Sequence, residues 1–100
     1  YSFEVEEALV QHPDVMEAAV FGVPDVVYGE SLMAVIIPRS GSSICASELI
    51  EHCRSLIGGY KIPRRIVFSG ELPKNSLGKI VKSQLRQRYA KSTGAQDGQA

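Results

Sequence analysis

A small α+β sandwich, a short, mostly three-stranded sheet with flanking helices, is the fold this chain predicts. Two observations carry the expectation. Two apolar runs rich in β-branched residues follow one another in the first forty positions, and three segments of helical character are set around them. The resulting element order, αββαβα, suits helices packed on a short sheet. A chain of 100 residues, 44% hydrophobic and 22% charged, has the size and composition of one globular domain.

Ser2 is placed to cap a first helix reaching about His12, with Val5, Ala8 and Leu9 at helical spacing, Glu4 near the positive end and Pro13 as the stop. Val15 to Val23 reads as a strand broken by Pro24-Asp25. Gly29 allows a turn before the continuous apolar run Ser31 to Pro38, which reads as a buried strand. From Cys45 to Ile57, Leu49, Cys53, Leu56 and Ile57 form one stripe of an amphipathic helix. Cys45 is a weak stand-in for the hydroxyl of a capping box with Glu48, and Gly58-Gly59 ends the helix in left-handed geometry. Arg65 to Ser69 is a short strand after Pro63. The segment Ile80 to Lys91 is a basic helix with Ile80, Leu85 and Tyr89 inward. Residues 1–90 are thus expected to form the domain and 91–100 a flexible polar tail.

Charge is unevenly divided. Residues 1–51 hold nine carboxylates against Arg39, and residues 52–100 hold ten cations against Glu71 and Asp97, so the halves carry −8 and +8 in a neutral chain. Either the halves neutralise one another on packing, or the second half makes a local anion site. Nucleic acid is disfavoured, since no aromatic platform lies between the cations. No apolar run of about 18 residues and no basic-then-apolar leader is seen, so no membrane span is expected. Cys45 and Cys53 would lie about 12 Å apart along one helix, beyond the about 7 Å reach of a disulfide. Reduced thiols and the missing leader make the cytoplasm the expected compartment.

Most motifs of catalytic chemistry fail on inspection. Gly78-Lys79 lacks the upstream glycine and the following hydroxyl of a phosphate loop, because Pro73 and Ile80 stand there. No dinucleotide fingerprint and no nucleophile elbow is present. His12 and His52 have no metal-ligand spacing and are expected at surface positions of helices; no metal residue is assigned. What remains is "LPKNSLGKI", Leu72 to Ile80, which offers Lys79 on a glycine turn ahead of a helix. A lysine so placed is a mobile point charge able to meet a developing anion.

Three stretches, His12 to Glu30, Gly58 to Phe68 and Leu72 to Arg86, together resemble the C-terminal domain of the acyl-adenylate-forming, or AMP-binding, enzymes over about residues 1–90. "LPKNSLGKI" followed by Leu85-Arg86 is closer to the acyl- and aryl-CoA synthetase branch than to peptide-synthetase domains. Ser2 and Lys82 depart from the proline and arginine frequent at those positions. The resemblance implies the small lid domain of an ATP-dependent carboxylate–CoA ligase, with Mg²⁺, ATP and CoA bound mainly by a large N-terminal domain. It implies Lys79 as the adenylation lysine, carried on a loop supported by Pro73 and Gly78. Arg54, Lys61 and Arg64 fall where the family meets the phosphates of CoA, and acyl-adenylate is the shared intermediate. Fatty, aryl and small acids all stay open, because the acyl pocket belongs to the larger domain. By itself the 100-residue chain is expected to fold without turning over. The competing reading is a stand-alone anion- or CoA-binding domain.

Overall fold

The computed structural model of the chain describes residues 2–27, 29–58 and 62–90, the last of them by its backbone alone. Helix α1 (Ser2–Val10), strands β1 (Val15–Asp25) and β2 (Gly29–Pro38), helix α2 (Ala46–Ile57), strand β3 (Arg65–Phe68) and helix α3 (Lys82–Ala90) follow in the expected order. The sheet runs β1-β2-β3, with β1 and β2 antiparallel and β3 parallel to β2. The expected tail, 91–100, lies outside the described residues.

Both faces of this sheet are covered. Ala18, Val20, Ala34 and Ile36 point to α1 and α2, where they pack with Val5, Leu9, Leu49 and Cys53. Ala19, Phe21, Met33 and Val35 point the other way, onto Leu72 and Leu85. The period-two alternation of a strand therefore delivers every central residue to a core, which is why β1 and β2 read as unbroken apolar runs. Register shifts between Val15 and Glu17. This bulge at Met16 turns Val15 to the α1/α2 face beside Ala18, and Glu17 then falls in step with Ala19 and Phe21 on the opposite face.

Several element ends differ from expectation. Ser2 is already helical and is therefore not the cap of α1. Strand β1 continues through Pro24 to Asp25, with Pro24 opposite Glu30. An edge strand tolerates a proline because its missing N–H can face away from the ladder. Gly58 ends α2 at φ 89°, ψ 163°, an extended mirror-image geometry open to glycine and not the left-handed helical one; its N–H donates to Arg54 O at 3.3 Å. Cys45 does cap α2 as half of a box: its N–H donates to Glu48 Oε1 at 3.1 Å, and that bond holds the Glu48 carboxyl below its ordinary range.

The two histidines are not simple surface residues. They are half-buried and meet edge to face, with ring centroids 5.1 Å apart. His52 Nε2 lies 2.7 Å from Ala8 O, and since a carbonyl only accepts, Nε2 carries the proton. His12, in the turn beyond α1, accepts the Asp14 N–H at Nδ1. The pair joins the end of α1 to α2 at Ala8 O, which also accepts the Gln11 N–H at 3.3 Å.

Charge holds the outer edge of β1. Glu6 Oε2 accepts the Val20 N–H at 2.8 Å and pairs with Lys82 Nζ at 2.7 Å. A carboxylate from α1 and an ammonium from α3 thus clasp the edge from opposite faces and occupy a donor that would otherwise invite another strand. Both cysteines are free thiols, Cys45 exposed and Cys53 buried. No helix among the described residues is long and apolar enough to cross a membrane.

Glu6→Ala removes both contacts of this clasp and is expected to lower unfolding free energy by about 1–2 kcal/mol, with Lys82→Ala losing less than about 1 kcal/mol; urea titration measures both. Burial pushes the Cys53 thiol from 9.0 up to about 11. A raised native pKa means the native state keeps its proton longer, so the stability it confers is complete below pH 9.0 and lost as pH rises towards about 11. Comparison with Cys53→Ala isolates that slope from the other groups titrating there, and iodoacetamide at pH 8 should label Cys45 alone.

Candidate functional site

The Lys79 loop begins and ends in the core. Leu72 is buried under the sheet, and Ile80 packs against the same cluster. Between them Lys74 and Ile80 form an antiparallel bridge, and Val81 N–H donates to Pro73 O at 2.9 Å, so the base of the loop is closed like a miniature hairpin. Pro73 thus serves as an acceptor at the base, where its absent N–H is not needed.

Asn75 organises the tip. Its N–H donates to Lys79 O at 2.9 Å and its carbonyl accepts the Gly78 N–H at 2.9 Å. Its side-chain Oδ1 accepts from Leu77 N–H at 2.9 Å and from Lys79 N–H at 3.1 Å. One amide side chain therefore fixes the backbone on both sides of the turn. Gly78 sits at φ 82°, where a side chain would be strained, yet a Cβ added there would meet nothing within 4 Å. The glycine answers the turn's backbone geometry and not a crowded contact within this chain.

The two lysines of the loop differ. Lys74 Nζ is tied to the Glu17 carboxylate at 3.0 Å, on the face to which the Met16 bulge has turned Glu17. Lys79 is exposed and makes no ion pair or side-chain hydrogen bond with any of the described residues. Held backbone, free head: that arrangement suits a cation meant for a partner outside the loop.

The other expected cations lie elsewhere. Arg54, in the last turn of α2, is exposed and paired with Glu51. Arg64 is exposed, and its N–H donates to Leu32 O at 2.9 Å at the entrance to β3. Lys61 lies outside the described residues. Leu32 precedes Ile37, the residue opposite Glu17, by five positions, about 17 Å along the strand. Arg64 and the anchor of the lysine loop thus mark opposite ends of the sheet, and α2, which carries Arg54, covers the opposite face from the loop. No group of three His, Cys, Asp or Glu among the described residues could hold a metal ion.

Sequence reasoning named Lys79, Pro73 and Gly78 for the loop but missed Asn75 and Glu17. An asparagine three residues before a glycine is a signal for a side-chain-capped turn. The Glu17 pairing depends on a bulge that no local pattern announces.

With the geometry in view, kinship can be assessed. The family profile described as AMP-binding enzyme C-terminal domain matches residues 4–79. A long-chain-fatty-acid–CoA ligase of Yersinia pestis is 40% identical over 91 residues, 91% of this chain and 16% of that protein. A feruloyl-CoA synthase of an Amycolatopsis species is 42% identical over 89 residues, 89% of this chain and 18% of its own length. Among solved structures, ATP-bound MatB of Rhodopseudomonas palustris superposes with a TM-score of 0.86 at 31% identity, covering 90% of this chain and 18% of that one. The chain therefore spans less than a fifth of the length of the curated relatives it matches.

Asn75→Ala should leave the core untouched yet free the tip. Hydrogen–deuterium exchange at the Leu77 and Lys79 amides is expected to quicken by about five- to tenfold, the equivalent of one lost hydrogen bond. The Leu85 amide should keep its protection.

Proposed function

We propose, since this chain belongs to the family of AMP-binding enzyme C-terminal domains, that it is the mobile C-terminal part of an ATP-dependent carboxylate–CoA ligase. In the first half-reaction an acid's carboxylate oxygen bonds to the α-phosphorus of ATP, the bond to the bridging oxygen breaks, and pyrophosphate leaves. In the second, the CoA sulfur bonds to the acyl carbon and AMP departs. Lys79 enters the cleft of a larger adenylation domain for the first step, where its ammonium orients the carboxylate and offsets negative charge gathering around phosphorus. It needs no proton transfer to do so.

The observation that carries this reading is the contrast within one turn. Lys74 is spent on Glu17, whereas Lys79 stands on a locked backbone with an unengaged head. Arg54 and Arg64, with Lys61 between them in sequence, supply the phosphate contacts for CoA. Arg64 at the far end of the sheet and Arg54 on the other face suit a domain that turns between two orientations, one for each half-reaction. Mg²⁺ that accompanies ATP would be held by the nucleotide phosphates and the larger domain. The relatives are named for acids as unlike as long-chain fatty acids and ferulate, which supports locating acid choice outside this domain. Kinship with ligases and the locked turn both favour this reading over a stand-alone anion- or CoA-binding module, for which a basic face alone would suffice.

In the full-length protein, Lys79→Ala is expected to depress adenylation, followed by ATP–pyrophosphate exchange, by about a hundredfold or more. Thioester formation from supplied acyl-adenylate and CoA should stay near the parent rate. Equal loss of both steps would make Lys79 a structural residue. Arg54→Ala or Arg64→Ala should chiefly raise the KM for CoA, and an unchanged KM would remove them from the site. Pyrophosphate release by the isolated 100-residue chain would overturn the division of labour altogether.

A further inference from the structure

Leu77 is 80% exposed at the apex of the lysine loop. The other apolar residues of the loop, Leu72 and Ile80, reach the core, and the rest of the apex is Asn75, Ser76 and Gly78. Among the described residues, nothing in the fold calls for a large apolar side chain in water at that point.

Its placement is also well defined. The N–H groups of Leu77 and Lys79 share a single acceptor, Asn75 Oδ1, at 2.9 and 3.1 Å. With Gly78 locked between them by the bond to Asn75 O, the leucine and the lysine leave the turn in a fixed relation. A lysine cannot set its own depth in a cleft, because its stem is long and flexible; a short branched side chain on the same rigid turn can.

Building on the reading of Lys79 given above, we propose that Leu77 is a positioning residue for adenylation. On docking it is buried in an apolar recess of the larger domain and sets how far Lys79 reaches towards the nucleotide. It touches no reactant. The contact belongs to the first half-reaction alone, because the loop lies at the end of the sheet remote from Arg64.

The test uses full-length protein carrying Leu77→Met, Leu77→Ala or Leu77→Asp, with Lys79→Ala in parallel. Each half-reaction is measured separately, together with Tm. Leu77→Ala should lower kcat for adenylation by about tenfold and Leu77→Asp further, with KM for ATP little changed, as expected for a contact completed only on closure. Leu77→Met should restore most of the rate. Thioester formation from acyl-adenylate and the Tm should not move, since the side chain lies outside the core. Parent-level adenylation in Leu77→Asp, alongside inactive Lys79→Ala, would overturn the role of Leu77 and leave that of Lys79 standing. Equal loss of both half-reactions in Leu77→Asp would also overturn it. Undiminished adenylation in Lys79→Ala would remove the underlying reading, and this inference with it.

Discussion

A three-stranded sheet with two apolar faces cannot stand in water on either side, and the rest of this fold answers that constraint. On one face α1 and α2 provide a two-helix cover. On the other, a single helix of nine residues is too short for the task, so the segment running into it must help. Leu72 and Ile80 supply the missing cover from the two ends of the lysine loop. The loop is therefore anchored by the hydrophobic effect at its base while its tip is left outside. Rigid attachment and exposed presentation arise from the same packing requirement.

The division of charge along the chain is partly neutralised across the fold. Lys74 with Glu17 and Lys82 with Glu6 join the basic second half to the acidic first half across the fold. Both pairs lie against β1, one of the two edge strands, where the Glu6 carboxylate also occupies the Val20 N–H. Lys79 is left over from this neutralisation at the tip. Internal pairing thus removes Lys74 and Lys82 from service, whereas Lys79, like Arg86 and Arg88 on α3, stays exposed.

Much of this was legible in the chain. Element order followed from apolar periodicity, and Leu85 and Leu49 fell inward because helical spacing leaves them no other face. Lys79 stands out because Gly78 directly precedes it in a loop that Pro73 opens. Local pattern failed where a residue's role is set by something distant. Pro24 reads as a breaker but sits at an edge, which only the strand order discloses. His52 reads as a solvated polar residue but answers a carbonyl 44 positions away. In sequence Asn75 reads as one small polar residue among several, since its four bonds exist only once the turn has closed.

The unengaged head of Lys79 has a consequence for reversibility. A lysine side chain at liberty keeps about 2 kcal/mol of rotamer entropy, and much of that is surrendered each time the ammonium is immobilised in a cleft. The turn beneath it, already ordered by Asn75, surrenders almost nothing further. Docking is thereby made specific by the rigid part and kept weak by the loose part. If the domain must release its hold before a second reaction, as proposed above, a lysine too well organised in advance would be a lysine slow to leave.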